Sequence, residues 1–309
     1  MNQDKYYLSD PWLDPYKGII EGRINKCIAK ERQLAGNGKL TEFAMGHFYY
    51  GLHRTDDGWV FREWAPNAES IFLVGTFNNW KETPGGRLTR INKYGDWEIK
   101  LPLEGLKHGD LYKLSVNWKG GKGERIPSYA TRLFQDETTK IFSAQVWDPG
   151  QPYMWKVTDF RPAGTVPVIY EAHVGMATPE EKTGTYREFT TYVLPQIIKS
   201  GYNTIQLMAI QEHPFYGSFG YHVSSFFAAS SRFGPPEDLK ELIDKAHASG
   251  IRVIMDLVHS HSVKNIIEGL GLFDGTPGQY FHPGSRRNHV AWDSLCFDYG
   301  KDNVLHFLL

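Results

Sequence analysis

Asp256, His259 and His261 close the stretch MDLVHSH (residues 255–261), which follows GIRVI. Ile251, Val253, Ile254, Met255, Leu257 and Val258 make the run apolar, so an acid and two histidines stand at the end of what reads as a strand buried on both faces. Two chemistries fit. On a regular strand His259 and His261, two residues apart, point the same way, as an HxH metal pair in a metal-dependent hydrolase barrel does. That reading needs a further carboxylate or histidine ligand from later strands. In the other reading, Asp256 and His261 hydrogen-bond a polyhydroxylated substrate. Five residues apart, they would lie on opposite faces of a regular strand, so the strand must end near Val258 and the chain must turn.

The same kind of ending occurs twice upstream. VPVIYEAHV (166–174) carries Glu171 and His173, and NTIQLMAI (203–210) is followed by Gln211, Glu212 and His213. One such ending is explained by a capping acid or a core histidine. Three in register point to a site, because parallel β/α architectures gather their sites at the carboxyl ends of the strands. Directly after the second strand, FYGSFGYHV (215–223) supplies Phe215, Tyr216, Phe219 and Tyr221 between glycines. Sugar rings present apolar C–H faces that stack on aromatic rings, while their hydroxyls need hydrogen-bonding partners. A metal site has no such need for aromatics. A loop packing its own rings accounts for some of the four.

The elements that must position these residues follow from the hydrophobic period. Residues 1–45 read as a helical segment, with Ile20, Ile24, Cys27, Ile28 and Leu34 on one stripe and a glycine at its end. From 46 to 150 the period is two, in short runs such as GWVFREWAP, SIFLVGTF and DWEIKLPL between turn residues, which is the pattern of an antiparallel β-sandwich. Trp64 belongs to its core. Trp80 and Trp97 stand beside turns, in FNNW and YGDW, and are candidate platforms for a sugar ring.

Residues 151–309 alternate strand and helix. TYREFTTYVLPQIIKSG, with a kink expected at Pro195, and PPEDLKELIDKAHASG separate the three strands, which predicts parallel pairing with right-handed crossovers. No GxGxxG follows a strand and no GxxxxGK[ST] occurs, so a nucleotide-binding doubly wound sheet loses to a (β/α)8 TIM barrel. An eight-unit barrel occupies about 250 residues. Only three βα units fit before Leu309, so a truncated barrel is expected, with an unpaired third-strand edge that favours self-association.

Composition narrows the function classes. A formal net charge of −1 with 22% charged residues gives no sign of a nucleic-acid or membrane-surface partner. Two distant cysteines, Cys27 and Cys296, with no CxxC, argue against a disulfide framework and a zinc ribbon and favour a reducing compartment. The N-terminus MNQDKYYLSD lacks an apolar signal core, and no run of about 18 apolar residues follows, so a cytoplasmic protein is expected.

YEAHVG, residues 203–247, MDLVHSH and WDSLCFDYG together resemble the glycogen and starch branching enzymes of the α-amylase family (glycoside hydrolase family 13), in the eukaryotic-type subgroup. FREWAPNAESIFLVGTFNNW (61–80) is similar to the start of the carbohydrate-binding module, family 48, that precedes their barrel. The resemblance implies a sandwich module, a barrel and a C-terminal β domain. It implies cleavage of an α-1,4-glucosidic bond and transfer of the freed segment to a 6-hydroxyl, forming an α-1,6 branch. By this match Asp256 is a structural and sugar-contacting acid at the floor of the −1 subsite, His261 hydrogen-bonds the same sugar, and Tyr221 is the platform beneath it. Ser260 stands where amylases commonly carry Asn, in agreement with branching enzymes.

Retaining transfer needs two carboxyls about 5–5.5 Å apart. In this family they come from motifs resembling GFRFDGV beyond the third strand, and none occurs in the 309 residues. The expectation is therefore no catalytic residue in this chain, no metal, no cofactor, an α-1,4-glucan partner and no activity of the chain alone. A non-catalytic glucan-binding protein and the HxH hydrolase are the alternatives.

Overall fold

The computed structural model describes residues 10–309 except Ala163 and Thr165; the expectation for residues 1–9 of the helical segment lies outside them. The chain forms two compact units, one of residues up to Gly46 with Tyr299–Leu309, the other His47–Asp298. In the smaller unit, helix α1 (Lys17–Ala35) ends at Gly36 and holds Ile20, Ile24 and Ile28 half-buried, while Cys27 is exposed. Within this unit Lys30 and Gln33 both hydrogen-bond the carboxylate of Asp302, and Phe43 meets His306 edge-on.

The larger unit begins with the sandwich. Its first sheet has the order β1 (Gly51–Thr55), β2 (Gly58–Trp64), β5 (Asp96–Leu101), β4 (Thr89–Arg90); its second has β3 (Ala68–Gly75), β6 (Leu111–Trp118), β9 (Phe142–Gln145), β8 (Leu133–Gln135), with β7 (Gly121–Arg125) also on β6. All these pairs are antiparallel. The two-residue period sends Trp59, Phe61 and Glu63 of β2 inward, so an acid is carried into the core by alternation alone.

Glu63 is fully buried and accepts from the Trp64 and Ser128 amides and the Ser128 hydroxyl, at 2.9, 2.9 and 2.6 Å. Burial outweighs those three donors and pushes its carboxyl from 4.5 up to about 7. An acid raised in the folded state stabilises fully below its unfolded value and loses that contribution as pH rises through the folded one. Between pH 4.5 and 8.5 the unfolding free energy should therefore fall by on the order of 3 kcal/mol on account of this group. Glu63→Gln should flatten that part of the profile in denaturant titrations; an unchanged slope in the variant would count against the assignment.

The sandwich is bonded to the following β/α part within the same unit. Trp64 O accepts from Gln279 at 2.6 Å, Asn67 makes two bonds of 3.0 Å to Asp274, and Arg125 donates twice to Leu272 O. Tyr129 stacks on Phe227 with centroids 4.5 Å apart.

In the β/α part, β10 (Ile169–Ala172), β11 (Thr204–Leu207) and β14 (Arg252–Met255) pair in parallel in that order. The crossover from β10 to β11 holds one wide π turn, Phe189–Val193, running into α2 (Leu194–Lys199). The wide turn comes just before Pro195, which has no N–H to continue an α-helical ladder, so the expected kink is realised as a change of helix type. The crossover from β11 to β14 carries the antiparallel pair β12 (Gln211–Glu212) and β13 (Ser225–Ala229) and ends in α3 (Pro236–Ala248). Tyr186, Phe189, Ile205, Leu207, Phe233 and Leu242 form the core between sheet and helices.

Two expectations need correction. The third strand is not buried on both faces: Ile254 and Met255 are exposed, as are Ile169 and Tyr170 of the first, because each of these strands has a neighbour on one side only. The third strand also stops earlier, at Met255. The next paired residues, β15 (His261–Ser262), join a separate antiparallel sheet with β17 (Ser294–Cys296) and β16 (Asn288–His289).

Candidate functional site

The early end of β14 removes the difficulty of the five-residue spacing. The Asp256 amide still donates to Leu207 O at 3.0 Å, in ladder fashion, and then the chain leaves the sheet. His261 begins a different strand, so the alternation of β14 no longer governs where its side chain lies.

Asp256 sits at the centre of a short hydrogen-bond chain. Its Oδ1 accepts from Gln206 Nε2 at 2.8 Å and its Oδ2 from the Tyr221 hydroxyl at 2.6 Å. Gln206 comes from β11, which lies beside β14, and is flanked there by the apolar Ile205 and Leu207. Burial, then the bond to the Asp256 carboxylate, raises the Tyr221 phenol to about 12, so it stays a neutral donor.

His261 locks the backbone of the same tyrosine. Its Nε2 lies 2.9 Å from Tyr221 O, and its Nδ1 2.8 Å from Ser260 Oγ. A carbonyl only accepts, so Nε2 carries the proton and Nδ1 accepts from the serine hydroxyl. Burial holds this imidazole below its ordinary pKa and keeps it neutral. Both nitrogens are thus engaged inside the protein, and a hydroxyl could reach His261 only by displacing one of these partners.

The loop that carries Tyr221 is held at both ends. Arg232 donates to the carbonyls of His213 and Pro214 at 3.1 and 3.2 Å, where the loop leaves the second strand. Phe219 (φ 53°) and Gly220 (φ 88°) then take consecutive left-handed conformations that reverse the chain into Tyr221. Two of the four loop aromatics, Tyr216 and Phe219, pack on the buried His173, with centroids 5.9 and 5.3 Å away. The other two, Phe215 and Tyr221, border an open cavity of about 390 Å³ that His222, His261 and Trp292 also line.

Of the remaining polar strand ends, Glu171 is exposed, and the others are structural. His173 Nδ1 accepts from the Met176 amide. Glu212 is fully buried and takes bonds from Ser230 Oγ and the Ser231 amide at 3.0 and 2.7 Å. His213, held to about 4 by burial, is neutral and donates from Nδ1 to Gln211 O. Gln211 bridges the Phe226 carbonyl and the Val258 amide.

The geometry disfavours the HxH reading, since His261 has no free nitrogen and His259 lies toward Phe226. Among the described residues no group of three or more His, Cys, Asp or Glu is placed to hold a metal ion.

The two tryptophans of the sandwich separate. Trp80, itself in the left-handed region at φ 60°, is 38% exposed and has the Lys113 ammonium 5.6 Å from its ring centre. Trp97 is 4% exposed, donates to Ala65 O at 2.9 Å and packs beneath Arg90, which counts against the platform expected there: the ring belongs to the core and forms only part of the wall of the cavity of about 810 Å³ that it helps line. Trp97→Ala should lower the unfolding free energy by about 3–5 kcal/mol in urea titrations; a loss below about 1 kcal/mol would contradict the core placement.

Sequence reasoning missed Gln206 and Trp292. The first was legible as a polar residue inside an apolar strand. Nothing in the order of the chain tied the second to His261, thirty-one positions earlier.

Comparison with known proteins places these features. Residues 49–130 match carbohydrate-binding module 48 (isoamylase N-terminal domain), and residues 190–268 match the alpha amylase catalytic domain. The chain is 44% identical over 97% of its length to the 1,4-alpha-glucan-branching enzyme of Dictyostelium discoideum, covering 45% of it, and 45% identical over 97% to that of Yarrowia lipolytica, covering 44%. It thus spans less than half the length of these curated relatives. Among solved structures, a putative alpha amylase from Salmonella typhimurium superposes with a TM-score of 0.66 at 25% identity over 84% of this chain and 40% of its own. Pullulanase from Bacillus acidopullulyticus does so with 0.68 at 20% identity over 84% of this chain and 35% of its own, a likeness of fold.

Proposed function

We propose, from the premise that this chain is a relative of the 1,4-alpha-glucan-branching enzymes and joins a carbohydrate-binding module to part of an α-amylase catalytic domain, that it is the N-terminal, glucan-holding portion of such an enzyme. The whole enzyme would cleave an α-1,4 bond of an α-glucan and pass the freed segment to a 6-hydroxyl. The observation that carries this reading is the Gln206–Asp256–Tyr221 chain, held by His261 beside an aromatic-lined cavity. It is a preorganised set of hydroxyl-binding groups and a ring on which a sugar can lie.

The acids present do not serve as the reacting pair. Asp256 has both oxygens engaged, and Glu212 is sealed in the core. The 309-residue chain should therefore bind maltoheptaose yet form no branches on amylose, as measured by chain-length analysis after debranching. Branch formation by the chain alone would overturn this part of the reading.

On the sandwich, Trp80 is the platform we assign to glucan, supported by its exposed ring. Trp80→Ala should weaken maltoheptaose binding severalfold in calorimetry without lowering the melting temperature; unchanged affinity removes Trp80 from the site. Exposed Ile254 and Met255 of the third strand, with Leu257 just after it, support self-association, which sedimentation would reveal as mass above that of one chain. We also assign the chain to the cytoplasm, a reading supported by its two free cysteines and by the lack, among the described residues, of any helix long and apolar enough to cross a membrane.

A further inference from the structure

We infer that Trp292 and Phe215 are the facing walls of a pyranose-binding subsite beside Tyr221, and that Trp292 is a specificity-determining residue for the glucan. This rests on the glucan-binding reading above and adds a residue to it. Trp292 lies at the tip of the β16–β17 hairpin, inside the four-residue loop closed by the pair His289 and Ser294. Strand β17 pairs directly with β15, whose first residue is His261, so one small sheet carries both Trp292 and the histidine that holds Tyr221. Sheet pairing therefore fixes a distance that the sequence leaves open.

The indole is held on several sides. His289 stacks parallel on it, with centroids 4.2 Å apart and 3° between planes, and accepts from the Trp292 amide at 3.3 Å. His261 lies 5.1 Å away. The next residue, Asp293, is in the left-handed region at φ 44° and is ion-paired to Lys264, which ties down the loop tip. Even so, Trp292 remains 54% exposed and borders the cavity of about 390 Å³. Phe215, on the other loop, is 61% exposed, and its ring lies so close to Gly217 that a Cβ there would come within 2.7 Å of it.

Two large rings brought to one cavity from separate loops, each braced and each left open to water, suit a ligand with apolar faces. Such rings are ordinarily covered. The polar groups at the rim are few, because the Ser218 hydroxyl is already donated to Phe215 O at 2.7 Å. A flat pyranose, stacking by its C–H faces and reaching polar groups with its edge hydroxyls, matches that balance. A cavity of this size falls in the range of small-ligand sites.

The test is calorimetric titration of maltoheptaose into the 309-residue chain carrying Trp80→Ala, which leaves the cleft to be read by itself. Adding Trp292→Ala should weaken this binding about tenfold, Trp292→Tyr should recover most of it, and Val290→Ala, at the same hairpin tip, should change nothing. Melting curves identify a variant that has lost its fold; Trp292→Tyr against Val290→Ala then carries the comparison. Equal affinity with and without Trp292, or no binding left in the Trp80→Ala chain, overturns the inference. Absence of binding by the unsubstituted chain is a different result, which brings down the glucan reading itself.

Discussion

Gly220→Ala is expected to lower the unfolding free energy by about 3 kcal/mol or more and to detach Tyr221 from Asp256. Gly220 adopts φ 88°, and a Cβ at this position would overlap the Ala209 carbonyl oxygen, which belongs to the backbone and cannot swing aside. The residue therefore meets two separate penalties, a conformation that side chains disfavour and a steric overlap. Relief requires the loop to move away from the second strand, and Tyr221, the next residue, moves with it. Urea unfolding reads the first effect, and residual maltoheptaose binding in the Trp80→Ala background reads the second. A Gly220→Ala chain with unchanged stability would mean that the loop is not held against Ala209 as described.

Asp256→Ala is expected to cost about 3 kcal/mol, because two donors lose the carboxylate that accepts from them at a partly buried site. Gln206 Nε2 and the Tyr221 hydroxyl both aim at this carboxylate. Removing its charge should also lower the Tyr221 pKa from about 12 toward 10, without reaching it, since burial is the largest cause of the shift and remains. A ring-carbon resonance of labelled tyrosine, followed against pH, reports this titration. Tyr221 unchanged in pKa after Asp256→Ala would show that the two groups do not meet in solution. Asp256→Asn separates charge from shape: the amide can still accept from one donor, so about half the stability loss should return while the pKa falls as in the alanine variant.

Much of the fold was legible because hydrophobic period and turn residues are local properties. The alternation in GWVFREW leads to a sandwich strand, and the apolar runs around 166, 203 and 251 lead to parallel strands. Boundaries were less legible. The run IRVIMDLVH has six apolar residues in nine, yet the ladder stops at Met255, because pairing ends where the neighbouring strand β11 ends at Leu207. Trp97 and Trp80 look alike in sequence, each beside a turn. Their difference in exposure arises because Trp97 lies in strand β5 on its buried face while Trp80 lies in the turn that follows β3, and a neighbouring turn residue does not encode that.

The chain's sequence by itself determined the kinds of layer, the identity of Asp256, His261 and Tyr221 as the residues worth watching, and the aromatic character of the loop between them. These follow from side-chain chemistry and short-range spacing. The tertiary structure alone decided that Asp256 and His261 do not share a strand, that His261 holds the Tyr221 carbonyl with one nitrogen while Ser260 takes the other, and that Trp292 shares a cavity with Phe215. Each of those depends on pairing between segments distant in sequence, whose closure is governed by the packing of the whole unit rather than by any one stretch of residues.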